Sequence, residues 1–433
     1  MIIKGGRIID PISKIDEVLD IKIEGEKITV IEKNIDLSKN KGEEVINASG
    51  KIVVPGFVDV HVHFRDPGQT YKEDLETGSQ AAVAGGFTTV VQMANTNPKI
   101  DDREKIIEHY KKARELPLKV FTVSALTRNF GDLELVDMEE NFKAGAIAFT
   151  DDGIPNRNSK LIIDAMNRAK KLNAIISFHE EDPNLIGQNG INHSEVSESL
   201  NIYGSPSIAE TSFIARDVAM AIYTGAKVSI QHISTGTGVE LVKFGKSMGA
   251  NIFAEVTPHH IALNDEAVLK YGTLAKMNPP LRSENDRRKI IEGIEEGTIE
   301  IIATDHAPHS TEEKEKELTK APSGIIGLET SFSICYENLV LTEEISLMKL
   351  IELMSTNPAR IYGLEGGEIA KDKIADITII DLNSEYKITK FKSKSSNSPF
   401  KDRILKGEVL YTISEGKVVY KNKYVKVDTM IKI

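Results

Sequence analysis

The chain has 433 residues, 40% hydrophobic and 27% charged, with a formal net charge of -11; this is a globular composition, too long for one simple core, so a large barrel or two to three domains are expected. An acidic balance without a dense Lys/Arg block excludes a phosphate-tracking nucleic-acid surface but leaves room for a local cationic pocket. The single cysteine, Cys335, rules out an internal disulfide, "MIIKGGRIIDP" lacks the apolar stretch of a signal peptide, and no apolar run reaches membrane-spanning length, so a cytoplasmic protein without a membrane partner is expected.

Residues 1–52 read as short alternating segments such as "VLDIKIEGEKITVIE", divided by Gly, Asn and Asp turn signals, which is antiparallel sheet material. From 53 to 364 the texture changes to apolar β-type runs alternating with helical patterns. Eight such runs follow in order: "FVDVHVHF", "TTVVQMAN", "LKVFTVSAL", "GAIAFTDD", "AIISFHEE", "KVSIQHIS", "NIFAEVTPHH" and "IEIIATDHAP". Eight βα units predict an α/β fold, a TIM-like (β/α)8 barrel, whose chemistry collects where the strands end. Beyond 365 the β texture returns in "KIADITIIDL" and "GEVLYTISEGKVVYKNKYV". Residues 1–52 and 365–433 are therefore expected to combine into one small composite β-sandwich domain beside the 53–364 barrel.

Polar residues able to bind metal do collect at the right-hand ends of the runs: His61 and His63, Asn95, Asp151 and Asp152, His179, His232, His259 and His260, and Asp305. Strand side chains alternate faces, so Phe57, Asp59, His61 and His63 share one face, and Arg65 joins them if the extended geometry continues. Two histidines one residue apart could simply be hydrogen-bonded polar groups. His179 and His232 on later strands, with Asp152 and Asp305, raise the set to four imidazoles and two carboxylates, enough for two divalent metals with an open position each. Nitrogen and oxygen donors without thiolate favour zinc, with manganese or cobalt as substitutes. Alternation with Ala146, Ala148 and Thr150 selects Asp152 over Asp151 as the inward carboxylate, leaving Asp151 to structural hydrogen bonds.

His306 and His309 follow Asp305 on an expected loop, where a hydrogen bond to substrate suits His309 better than metal ligation. His259 and His260 read as ligands or equally as structural imidazoles under the site, and His109 and His193 as surface residues. Arg65, Asn95 and Asn278 suggest substrate recognition, since arginine offers a carboxylate a bidentate fork and asparagine both donates and accepts.

The segments "PGFVDVHVHFRDPG", "GGFTTVVQMANTNP", "AFTDDG", "EVTPHH", "KMNPPLR", "ATDHAPH" and "STNPARIYGL", with the tail motif "SKSSNSPF", together resemble the dihydroorotase family of the amidohydrolase superfamily, in its longer bacterial type. The resemblance implies one or two zinc ions per chain, with two preferred, and the reversible interconversion of N-carbamoyl-L-aspartate and L-dihydroorotate in de novo pyrimidine synthesis. It makes His61 and His63 ligands of one zinc, His179 and His232 ligands of the other, Asp152 a bridge, and Asp305 a ligand and catalytic base. His63, Arg65, Asn95, Asn278, His309 and the backbone at Ser323 and Gly324 fall where the family holds substrate. A homodimer and association with aspartate transcarbamoylase are also implied. Ser323 stands where the family often has Phe, "SFHEED" replaces "AHCED" and "MAN" replaces "MPN"; none of these removes an expected ligand.

In this reading a water shared by the metals attacks the ring amide, Asp305 accepts its proton and passes it to the departing nitrogen, and Arg65 and Asn95 hold the carboxylate. A hydantoinase or allantoinase is the competing enzyme, but those relatives usually bridge their metals with a carboxylated lysine, and "AFTDDG" contains none. A scaffold that has lost its ligands is the competing non-enzyme, and all six ligands are present. The charged stretch "HSTEEKEKELTKAPSG" reads either as a lid over the substrate or as a solvated loop.

Overall fold

The computed structural model describes residues 1–423 and 430–432. The N-terminal strands are β1 (Ile2–Asp10), β2 (Ile15–Glu24), β3 (Lys27–Glu32), β4 (Glu44–Asn47) and β5 (Ile52–Pro55). Eight strands follow: β6 (Phe57–Val62), β7 (Phe87–Gln92), β8 (Lys119–Thr122), β9 (Ala148–Phe149), β10 (Ile175–Phe178), β11 (Lys227–Ile230), β12 (Ile252–Val256) and β13 (Ile301–Ile302). The C-terminal strands are β14 (Ile377–Lys387), β15 (Ile404–Ser414), β16 (Lys417–Lys421) and β17 (Met430–Lys432).

The eight central strands form a parallel barrel in two ladders, β6-β7-β8 and β13-β12-β11-β10-β9. Parallel bridges Ser124↔Phe149 and Val62↔His306 join the ladders at both seams, and His63 N donates to His306 O at 2.9 Å to close the ring. Each strand coincides with one of the eight apolar runs of the sequence, β7 starting one residue ahead of its run at Phe87. All six residues of β6 are buried, because one face meets the barrel interior and the other the surrounding helices. Helices begin at side-chain caps: Asp74 accepts from Thr77 N ahead of Leu75–Ala84, and Asn158 from Leu161 N ahead of Ser159–Leu172. Gly78 lets the first of these helices approach the sheet, since a Cβ there would lie 2.4 Å from the ring of Phe64.

The two chain ends share one nine-stranded sheet, ordered β16-β15-β14-β5-β1-β2-β3, with β4 paired to β1 and β17. Its isoleucine-rich core includes Ile3, Ile8, Ile21, Ile28, Ile377, Ile379 and Ile413, the buried half of each alternating segment. The β15–β16 hairpin turns through Glu415 and Gly416 at φ 49° and 75°, the pair of positive values that a tight two-residue hairpin turn requires. Among the described residues no helix is long and apolar enough to cross a membrane.

The terminal sheet runs past the expected boundary at residue 52, because β5 (Ile52–Pro55) pairs with β1 and β14, and a second expectation also fails in this layer. His109, expected at the surface, is buried on the helix Arg103–Ala113, with Nε2 3.2 Å from Val120 O. The helix turns that face onto β8, and burial pulls the imidazole down to about 4, in its neutral form.

Candidate metal centre

β6 delivers the first two imidazoles. His61 is buried, and its Nε2 has no hydrogen-bond partner, an expensive arrangement unless the lone pair has another use. Its other nitrogen, Nδ1, lies 3.3 Å from Glu255 Oε2 on β12. Glu255 Oε1 in turn accepts from Ser229 Oγ at 2.9 Å and from Tyr362 OH at 2.8 Å. This buried carboxylate fixes the ring so that Nε2 points to the centre, the support that metal-binding histidines commonly have. Tyr362 belongs to the "STNPARIYGL" motif, which thereby acquires a physical role under the site.

Asp152, three residues beyond the end of β9, is the hub. Its Oδ1 lies 3.4 Å from His61 Nε2, 3.8 Å from His179 Nδ1 and 3.7 Å from His232 Nε2, while Oδ2 lies 3.5 Å from His63 Nε2 and accepts from Asn95 Nδ2 at 3.1 Å. Two overlapping donor groups result, His61–His63–Asp152 and Asp152–His179–His232, each with its ligand atoms within 4.8 Å of one another. His179 Nδ1 and His232 Nε2 stand 3.0 Å apart. Two ring nitrogens aimed at one point need a proton between them or a cation they share; a divalent ion in the second group would satisfy both lone pairs, and one in the first would take the orphaned Nε2 of His61. The donors present therefore fit a metal.

Asp305, at the end of the last barrel run with φ 47°, places Oδ1 2.9 Å from His63 Nε2 and 3.6 Å from His61 Nε2. Burial pushes its carboxyl up, but the His63 hydrogen bond and the charges of His61, His63 and His232 outweigh burial and hold it below the usual carboxylate range. Asp152 is held well down against burial in the same way, chiefly by His61. His61 is correspondingly raised despite its burial, first by Asp152. The cluster is thus a mutually compensating set of carboxylates and imidazoles. The neighbouring Asp151 does something else: it accepts from Leu126 N, Thr127 N and Asn156 Nδ2 at 2.8, 3.0 and 2.8 Å, tying two loops together.

The expected substrate groups surround this centre. Asn95 Oδ1 lies 2.9 Å from His63 Nδ1. Asn278 Nδ2 lies 3.1 Å from His179 Nε2, and its buried Oδ1 has no partner. Arg65 reaches the mouth by a different route from the one alternation predicts: β6 ends at Val62 and Arg65 has φ 60°, so a turn rather than an extended strand aims its guanidinium, and Nε donates to Pro308 O at 3.4 Å. His309 Nε2 lies 2.8 Å from Ser323 O, and Gly324 N donates to Lys276 O at 2.8 Å.

The stretch after His309 is fastened by two lysines, Lys276 from outside it and Lys314 from within. Lys276 Nζ donates to Leu318 O and Ala321 O at 2.8 and 2.7 Å, and Lys314 Nζ to Pro322 O and Gly324 O at 2.9 and 3.0 Å. Burial, then the charge of Lys276, lowers Lys314 to about 7.

The remaining histidines lie outside both donor groups. His306 takes Gly327 N on Nδ1 at 3.2 Å and faces Glu73 with Nε2 at 3.4 Å. His260 is held between Thr257 Oγ1 and Pro279 O, and the buried His259 packs on its ring.

Residues beyond the expected set also shape the site. Besides Glu255, Glu181 Oε2 stands 3.7 Å from His179 Nε2 and accepts from Ser205 Oγ at 2.7 Å through Oε1. Lys72 Nζ lies 3.0 Å from Glu313 Oε1 and 3.5 Å from His309 Nδ1. A glutamate inside the apolar run "NIFAEV" is a legible signal for Glu255; nothing local marks Lys72.

The model of the amidohydrolase family matches residues 52–419. A dihydroorotase of Clostridioides difficile (strain 630) is 52% identical over 97% of this chain and 99% of its own length. A dihydroorotase of Lactococcus lactis subsp. lactis (strain IL1403) is 46% identical over 98% and 100%. Among solved structures, the L-hydantoinase (dihydropyrimidinase) from Arthrobacter aurescens superposes with a TM-score of 0.87 at 25% identity, over 98% of this chain and 97% of that one.

Proposed function

The chain belongs to the amidohydrolase family and, within it, to the dihydroorotases; from that premise we propose that it interconverts N-carbamoyl-L-aspartate and L-dihydroorotate at a zinc centre held by His61, His63, Asp152, His179, His232 and Asp305. The observation that carries the reading is the position of Asp152, one carboxylate facing four imidazoles. Each donor group would hold one ion, with Asp152 common to both, and donors of nitrogen and oxygen alone suit zinc. When bound, such ions polarise a carbonyl and acidify water near neutral pH.

The chain's own groups do the rest. Asp305, kept ionised by the imidazoles beside it, accepts the proton of the attacking water and delivers it to the ring nitrogen as the amide opens; in the closing direction it takes that proton back. Asn95, by its bond to His63 Nδ1, keeps Nε2 of that ring directed at Asp305. The Arg65 guanidinium grips the substrate carboxylate, with Asn95, Asn278, His309 and the Ser323–Gly324 backbone forming the remaining walls. No lysine occupies the position of Asp152, and a cationic mouth suits a ring bearing a carboxylate better than an uncharged one. The homodimer and transcarbamoylase partner rest on the resemblance to the family, and a cytoplasmic setting is supported by the single, buried Cys335.

Arg65→Met tests the substrate assignment. Removing a charge-assisted fork is expected to raise KM for L-dihydroorotate by about 10- to 100-fold while leaving metal content unchanged. A KM within experimental error of the parent protein takes Arg65 out of carboxylate recognition.

A further inference from the structure

The motif "SKSSNSPF" lies beyond the barrel in sequence, between β14 and β15, yet it runs across the barrel mouth. Its residues alternate in burial: Lys392, Lys394 and Ser396 are exposed, whereas Ser393, Ser395 and Asn397 are buried. This is an irregular strap with one side inserted into the barrel loops, and each inserted side chain grips a different piece of backbone or a buried acid. Ser393 Oγ donates to Glu73, the carboxylate that faces His306. Ser395 Oγ donates to Lys72 O at 2.7 Å. Asn397 does most: Nδ2 donates to Ala307 O at 3.0 Å and Gly324 O at 3.2 Å, while Oδ1 accepts from His309 N at 3.2 Å.

One buried amide therefore ties together the backbone of His309 and that of the Ser323–Gly324 loop. The His309 ring independently meets Ser323 O. The exposed side of the strap is anchored too, since Lys394 Nζ donates to Thr70 O at 2.6 Å and pairs with Asp74. Hydrogen bonds from the strap thus reach residues 70–74, 307–309 and 324, the stretches that flank Arg65, carry His309 and frame the Ser323–Gly324 backbone.

We propose that Asn397 is a positioning residue for the reaction, setting His309 and the Ser323–Gly324 loop at the distance that the substrate carboxylate requires, so that a segment outside the barrel completes the substrate site. Asn397 touches neither donor group of the metal centre. Its loss acts on substrate affinity and spares metal binding and the proton transfer at Asp305. The inference rests on the proposed substrate-holding role of His309, and its test separates the two.

The experiment compares Asn397→Ala, His309→Ala and the double variant on L-dihydroorotate, with zinc counted in each protein. The isosteric Asn397→Asp stands in should the alanine variant fail to fold: it keeps the acceptor for His309 N but turns a second acceptor on Ala307 O and Gly324 O. Expected for either Asn397 variant is a KM raised about tenfold, the size of a lost set of buried hydrogen bonds, with kcat within about threefold and zinc unchanged. The double variant is expected to match His309→Ala within about twofold, because residues acting through one another are not additive. A lowered melting temperature with unchanged KM reduces the strap to a structural tie and overturns the inference. So does a double variant whose KM defect is the product of the two single defects. If His309→Ala itself leaves KM unchanged, the substrate-holding role of His309 falls, and the inference with it.

Discussion

Asp305→Asn is expected to lower kcat for ring opening by at least about a thousandfold, within the range that a positioned general acid–base supplies, while the protein still takes up metal. Asparagine keeps the size and the hydrogen-bonding reach toward His63 Nε2, 2.9 Å away in the parent, but it cannot take a proton from water and hand it to nitrogen. His61, His63, Asp152, His179 and His232 remain to hold metal, since the two donor groups of the centre do not depend on Asp305. Steady-state turnover measured alongside zinc content reads both halves of this expectation. Activity within about tenfold of the parent assigns the proton to another group; loss of zinc together with activity makes Asp305 a ligand first and leaves its catalytic part unproved.

Asp152→Ala is expected to empty the centre. Its carboxylate is common to both donor groups, and without it Asp305 is left facing His61 and His63, with no carboxylate common to all four imidazoles. His179 Nδ1 and His232 Nε2, 3.0 Å apart, are left with nothing to reconcile them except a proton or rearrangement of the rings. Zinc per chain after dialysis against a weak chelator is expected to fall to a small fraction of the parent value, and turnover with it. The control is the adjacent residue. Asp151→Asn loses the charge that gathers Leu126 N, Thr127 N and Asn156 Nδ2, which costs on the order of 1–3 kcal/mol of stability without touching a ligand. Zinc retention in Asp152→Ala equal to that in Asp151→Asn refutes the bridging role.

The contrast between these neighbours was legible in the chain. Period-two alternation sends Asp152 inward and Asp151 away, and the same rule brings His61 and His63 to one face of β6. The barrel is legible for a related reason: its strands are nearly continuous apolar runs, and barrel chemistry collects at their C-terminal ends. Alternation holds a little past the strand ends, at His63 and Asp152 beyond Val62 and Phe149, and fails where the backbone turns left-handed. Arg65 reaches the mouth through a left-handed residue, and no pattern in "HFRDPG" distinguishes that turn from two more extended residues. His109 fails for another reason: in a helix rich in charge, one polar residue turned inward to a strand carbonyl resembles its exposed neighbours.

Contacts between distant parts of the chain were the least legible. Glu255 supports His61 across 194 residues, and Ser393 reaches Glu73 across 320. Such pairs leave no local periodicity, because their partner is chosen by the closure of the barrel and the packing of the terminal sheet on it. A glutamate inside an apolar run announces that it needs a partner. It does not say which one.

The central claim is that this imidazole–carboxylate centre with a cationic mouth opens a carboxylate-bearing cyclic amide. It is tested most directly by assaying the purified, zinc-loaded protein in parallel on L-dihydroorotate, hydantoin and allantoin, with zinc counted in the same sample. The expected result is ring opening confined to L-dihydroorotate, with one or two zinc ions per chain. Zinc uptake with activity only on hydantoin or allantoin would contradict the substrate assignment while keeping the metal centre, and zinc uptake without activity on any of the three would contradict the enzyme itself.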